Sequence, residues 1–146
     1  INSRFKEGKK IENVLSKKTK SIEKIAGIIQ NIEKKTLNKR IKNYKNKIKN
    51  LIEDFDETRL DQEVAMLALK HDISEELDRI FFHTKTINEE LTKKISSGKK
   101  IDFILQELFR ESNTLTVKID DSKLKNYALD MKLLIEEMRE QTQNVE

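Results

Sequence analysis

No proline occurs in the 146 residues, and only three are glycine. Proline removes a backbone donor and clashes with the preceding turn, so its absence lifts the strongest block to long helices. Apolar residues then recur at helical intervals. Ile11, Leu15, Lys18, Ile22, Ile25, Ile29, Ile32 and Thr36 advance by alternating steps of four and three, with two polar interruptions. That is the spacing of a coiled-coil-like seam. Leu37, Ile41, Tyr44, Ile48, Leu51 and Phe55 continue it, and the stripe then shifts to Leu60, Val64 and Leu67. No segment alternates convincingly as a strand. The pattern predicts an all-α chain, a long antiparallel or coiled-coil-like helical arm plus a small helical bundle.

Residues 3–35 and 37–70 read as two helical runs, each roughly 50 Å long at ~1.5 Å per residue. Around Thr36 and Asn38 the chain can turn, kink or continue, since neither proline nor glycine decides it. Gly8 and Gly27 each weaken the first run by up to ~1 kcal/mol relative to alanine. Asp72 is a good N-cap for a third helix, with Glu75 at the capping-box position. Its seam is Ile73, Leu77, Ile80, Thr84, Ile87 and Leu91, and Ser96, Ser97 and Gly98 close it, glycine readily adopting the left-handed stop. A fourth helix over about 100–118 buries Ile101, Ile104, Leu105, Leu108 and Leu115. Asp120 or Asp121 caps a fifth, with Leu124, Ala128, Met131, Leu134, Ile135, Met138 and Val145 as its stripe.

Charged residues make up 38% of the chain and apolar ones 36%. Such a balance suits amphipathic helices with wide wet faces, not a deep multilayered core. There is no cysteine, hence no disulfide framework and no thiolate chemistry. No apolar run approaches membrane-spanning length and no secretory core opens the chain, so the expected setting is the cytoplasm, without a membrane partner. The first residue is Ile1, which suggests a processed or partial chain.

Charge is unevenly placed. Residues 1–50 hold 16 Lys and Arg against 4 Asp and Glu, a net of +12; residues 51–146 hold 14 against 22, a net of −8. Residues 1–58 therefore read as a basic helical arm and 59–146 as an acidic, site-bearing helical domain. Phosphate contacts from such an arm would be sequence-blind and salt-sensitive; plain lysine enrichment of wet faces is the simpler account. Only Tyr44 and Phe5 offer rings among the basic residues 1–50, so the arm is no stacking platform for bases. A Walker loop, a GxSxG elbow, an HExxH helix and a dinucleotide glycine fingerprint are all missing.

Three runs carry more polar chemistry than a bundle helix needs: Arg59 to Arg79, Gly98 to Lys118, and Lys132 to Glu146. On the third helix Asp72, Glu76, Arg79 and His83 are spaced four, three and four, so they share a face. Carboxylates grouped this way can hold Mg²⁺ or Mn²⁺, and a histidine of unperturbed pKa ~6.5 can move a proton. Spacing alone favours the plainer account of a cap, an ion pair and a surface histidine. On the fourth helix Asp102, Gln106, Arg110 and Asn113 line one side, and Glu107, Arg110, Glu111, Thr114 and Lys118 the next. An arginine grips phosphate with paired hydrogen bonds, and a nearby glutamate can ligate metal or orient water. A polar network that fixes register between helices explains the same residues equally well. On the fifth, Lys132, Glu136, Arg139 and Gln143 repeat the spacing, where a solvated face suffices.

Taken together, RLDQEVAMLALKHDISEELDR, GKKIDFILQELFRESNTLTVK and KLLIEEMREQTQNVE resemble the carboxyl-terminal region of the YicC/YloC family. The likeness is strong over about residues 59–146, up to the Gln143–Glu146 ending, and weak over 1–58. Phe109 departs from it, standing where the family usually has Asn, and the proline that often separates the first helical runs is missing. The resemblance implies a bacterial, divalent-metal-dependent endoribonuclease forming oligomeric rings, reported as hexamers, of which this chain is the latter half. On this reading of the residues, His83, Glu107, Arg110 and Arg79 are nominated as catalytic, Lys99, Lys100, Arg110, Lys118 and Arg139 as contacts to RNA, and Asp72, Glu75, Glu76, Asp102 and Glu111 as the source of a Mg²⁺ or Mn²⁺ site. The rival reading is a non-catalytic oligomerisation or RNA-binding module whose active site lies in the amino-terminal half.

Overall fold

The computed structural model describes residues 2–51, 56–70, 72–93 and 98–143, without the side chains of 1–7 and 67–70. Within them run α1 (Asn2–Leu51), α2 (Glu57–Lys70), α3 (Ser74–Leu91), α4 (Gly98–Lys118) and α5 (Ser122–Gln143), with no strand among the described residues. Phe55, Ser96, Ser97, Asn144 and Val145, and the side chains of Phe5 and Leu67, lie outside the described residues.

The chain continues through Thr36 and Asn38. α1 is one helix of 50 residues, about 75 Å long. The Thr36 hydroxyl donates back to the Ile32 carbonyl at 3.0 Å, a contact a helix accommodates without breaking its ladder. Arg40 Nη1 donates to Glu33 Oε1 at 2.9 Å, two turns back across the same stretch. Burial opposes the Arg40 charge, but the hydrogen bond and charge of Glu33 outweigh it and leave its pKa raised. Residues 37–70 are therefore not a single run. α1 ends at Leu51, where the apolar stripe shifts, and α2 begins at Glu57. Asp56 opens α2: its carboxylate accepts the Thr58 N–H at 3.0 Å and its carbonyl the Leu60 N–H at 2.9 Å. Lys45 of α1 pairs with Asp61 of α2 at 3.0 Å, so α2 folds back along the distal half of α1.

The proximal half of α1 belongs to a four-helix bundle. α1 packs on α3 and α5, α3 on α4, and α4 on α5, which closes the ring. Thr19 donates to Asn88 at 2.7 Å, while Glu33 and Leu37 of α1 lie near Asp72 and Ser74; α3 thus runs antiparallel to α1. Lys18 pairs with Glu137 and Arg40 feels Asp120, so α5 does too. The core holds Leu15, Ile22, Ala26 and Ile29 from α1, Leu77, Ile80 and Ile87 from α3, Leu105, Leu108 and Leu115 from α4, and Ala128, Met131, Ile135 and Met138 from α5. Each large aliphatic side chain buried here contributes ~1.5–3 kcal/mol. The stripes expected on α3, α4 and α5 are the buried ones, except that Leu91 and Leu134 are only partly buried at the border of the core. On α1 the face is rotated: Thr19 and Ala26 are fully buried, while Ile11, Ile25 and Ile32 sit at the border. The reason is that α1 is flanked by two helices, so its contact face is wider than a two-stranded seam.

Both ends of α3 differ from the sequence reading. α3 starts at Ser74 with Ile73 as its N-cap; the Asp72 carboxylate accepts the Ser74 N–H at 3.0 Å from one residue further out. That backbone hydrogen bond holds the Asp72 pKa below its ordinary value. Glu75 pairs with Arg79 at 3.0 Å instead of closing a capping box. α3 stops at Thr92, whose N–H and hydroxyl both turn to the Glu89 carbonyl. Gly98 is not the stop: its φ is not positive, and it is the first residue of α4. Of the two cap candidates for α5, Asp121 does the capping, its carboxylate accepting the Leu124 N–H at 3.0 Å.

Leu60 and Val64 are buried on α2 yet lie outside the bundle core. The Leu60→Ala/Val64→Ala pair is expected to remove roughly 2–4 kcal/mol of local stability. Amide exchange in α2 and distal α1 should quicken at least about tenfold, with α3–α5 unaffected. Uniform loss of protection across all five helices would contradict a separable arm. No helix among the described residues is long and apolar enough to cross a membrane.

Candidate metal centre between helices three and four

α3 and α4 run antiparallel, and polar pairs climb one as they descend the other. Glu90 meets Lys100 at 3.4 Å. His83 stands beside Glu107. Arg79 Nη1 lies 3.6 Å from Glu111 Oε2. Lys118 donates to Glu76 Oε1 at 2.7 Å. The apolar stripes of both helices face the core, so these side chains form a polar rail along the outer edge of the pair. The rail exists because 4-3 spacing brings successive polar residues to the same edge of each helix.

At its middle, His83, Glu107 and Glu111 each offer a ligand atom, all within 4.8 Å of one another. Glu111 is buried; His83 and Glu107 are half-buried. Around them is an open groove of about 610 Å³ lined by Glu75, Asp78, Arg79, Phe82, His83, Glu107, Arg110 and Glu111. Four carboxylates there face two guanidiniums, an excess of negative charge that favours a divalent cation. Arg79 spans Glu75 (3.0 Å) and Glu111 (3.6 Å). Arg110 lies 3.6 Å from Glu107 and keeps a side chain 74% exposed. The Phe82 ring meets His83 edge-on at 5.7 Å.

The other nominated residues are placed as follows. Glu75 lines the groove. Asp72 and Glu76 lie at the far end of the rail, where Lys118 donates to the Asp72 carbonyl and to the Glu76 carboxylate. Asp102 accepts from Gln106 at 3.2 Å in the first turns of α4, and its Oδ1 is buried without a partner. Lys100 is paired with Glu90, and Lys99 is exposed. Arg139 is on α5, its guanidinium 5.5 Å from the centre of the Phe109 ring, with Lys132 5.3 Å from the same ring. Asp78 and Phe82 were not nominated from sequence. Phe82, a large ring off the apolar stripe and 65% exposed, was the available signal. A second groove, about 680 Å³, runs between α1 and the start of α5, past Lys39, Arg40, Asn43, Lys47, Asp120 and Asp121; its two carboxylates belong to no cluster of three metal-ligating groups among the described residues.

Residues 29–146 match the family described as endoribonuclease YicC-like, C-terminal. The chain belongs to this family. Among YicC relatives, a Haemophilus influenzae protein named probable endoribonuclease YicC is 45% identical over 93 residues, 64% of this chain and 32% of that protein. A Clostridioides difficile protein of the same name is 35% identical over 153 aligned positions, 98% of this chain and 50% of that protein. The chain thus spans at most half the length of these two YicC relatives. The YicC-like match covers α2 to α5 and the distal part of α1, and so includes the whole polar rail.

Proposed function

We propose that this chain holds the metal centre of a divalent-metal-dependent endoribonuclease that hydrolyses phosphodiester bonds in RNA. The names of its relatives support the reaction class. One observation carries the site: the convergence of His83, Glu107 and Glu111 from two helices. An imidazole with two carboxylates is a mixed nitrogen–oxygen set, which suits Mn²⁺ better than Mg²⁺. A bound ion would supply Lewis acidity toward water and the phosphate.

The chain's own side chains do the rest. Arg110 at the exposed rim grips a phosphate through paired hydrogen bonds. Arg79 holds Glu111 in position and neutralises part of the carboxylate cluster. His83, nominated as a proton carrier, would instead supply the nitrogen ligand beside the two carboxylates. Lys118 and Lys100 serve the rail that positions the centre, while Lys99 and the basic distal half of α1 attract the RNA backbone. Assembly into a homo-oligomer, a hexamer by family resemblance, belongs to the same proposal: the groove is open and has room for a neighbouring subunit.

The test is a single-turnover assay of the full chain on structured RNA. Internal cleavage is expected with Mn²⁺ and none with chelator. Equal cleavage in both would remove the metal role.

A further inference from the structure

Phe109 is on the α5-facing side of α4, and two cations from α5 share its ring. Lys132 Nζ is 5.3 Å and Arg139 Cζ 5.5 Å from the ring centre, so the charges are at most about 11 Å apart. That is near the ~10 Å screening length in 0.1 M salt, so each feels the other. Among the described residues neither forms an ion pair within 4.0 Å, in contrast to Lys18, Arg79 and Lys118, although Glu136 stands one helix turn from each. Arg139 Nε is also buried without a hydrogen-bond partner. The ring, not a direct ion pair, holds these heads, which leaves their donors available to an anion and their positions set in advance.

The position relative to the groove matters as much as the charge. Residues advance ~100° around a helix. Phe109 therefore lies on the side of α4 away from Glu107 and Glu111, with the exposed Arg110 between them. Arg110 and the Lys132–Arg139 pair form a cationic path across α4 that begins at the rim of the acidic groove.

We propose that Lys132 and Arg139, set on the Phe109 ring, clamp the backbone of the RNA strand where it leaves the groove, with Arg110 as the crossing point. This rests on the nuclease reading for its ligand, but not on the metal. Phosphate oxygens supply the acceptors that both heads lack, and a cation pair without base contacts reads no sequence.

The test is fluorescence anisotropy of a labelled single-stranded RNA oligonucleotide in chelator, where nothing is cut, across a salt series. Each phosphate contact on a single strand contributes ~0.7 to the slope of log K against log salt. The Lys132→Gln/Arg139→Gln variant is expected to bind about tenfold more weakly at 0.1 M salt and to lose roughly 1.4 from that slope. Phe109→Leu is expected to bind about threefold more weakly, since the heads lose their platform but keep their charge. Circular dichroism checks that each variant is folded; if Phe109→Leu is not, the double variant decides alone. An unchanged slope overturns the clamp, including the case of weaker binding with altered oligomer size, which would assign the face to a protein contact. The two readings fail separately. Normal slope loss with no Mn²⁺-dependent cleavage keeps the clamp and removes the nuclease; cleavage with an unchanged slope does the reverse.

Discussion

Glu111→Gln is expected to lower Mn²⁺-dependent RNA cleavage by on the order of 100-fold or more while leaving the bundle folded. Glutamine keeps the volume and one acceptor oxygen, so the packing around a side chain only 8% exposed is preserved. What is lost is the negative charge at the most buried of the three converging groups. Arg79 loses its contact at 3.6 Å but keeps Glu75 at 3.0 Å. Because Arg79 is half-exposed, that loss should cost under about 1 kcal/mol. Calorimetry with Mn²⁺ separates the possibilities: weaker binding with partial rescue at high Mn²⁺ identifies a ligand. Cleavage within about threefold of the unaltered chain would place the chemistry elsewhere.

The helices were legible because periodicity is a local property. The spacing that put Leu77, Ile80 and Ile87 on one face of α3 needs only the 3.6-residue turn, and those residues are buried. The same rule failed at the arm, for a physical reason. The stripe shift from Leu51 to Leu60 coincides with the boundary between α1 and α2, yet without proline or glycine it reads as a continuing helix, while Thr36 and Asn38, where the sequence allows a turn, are helical. The site was legible as faces and not as pairs. Arg79 and His83 share a face of α3, and Glu107 and Glu111 a face of α4, from sequence alone. Which rung meets which depends on the register of the pair, set by the packing of α3 on α4. That register brings Glu111 to Arg79 and His83, and sends Glu76 to Lys118 instead. A list of acids in order of appearance therefore mixed groove residues with residues of the far rung.

The far rung carries the largest expected loss of stability outside the apolar core. Glu76 has a side chain 4% exposed; Lys118 Nζ holds its Oε1 at 2.7 Å, and its Oε2 is buried with no partner. Lys118→Met preserves the stem and deletes the ammonium, leaving an uncompensated carboxylate in the interface. Breaking a fully buried pair from one side costs ~3–5 kcal/mol. Lys118 is 31% exposed, so water softens the effect, and about 3 kcal/mol is expected. At ~2–4 °C per kcal/mol for a chain of this size, the melting temperature should fall by roughly 6–12 °C. Adding Glu76→Gln should restore most of it, because an amide is far cheaper to bury than an unpaired charge; the double-mutant cycle should show a coupling above about 1 kcal/mol. The same rung anchors the start of α3, one turn from Arg79, so the double variant should also recover Mn²⁺ binding weakened in Lys118→Met. A melting shift under about 2 °C would mean that Glu76 is solvated in Lys118→Met, and that apolar packing alone sets the register which brings His83 to Glu107 and Glu111.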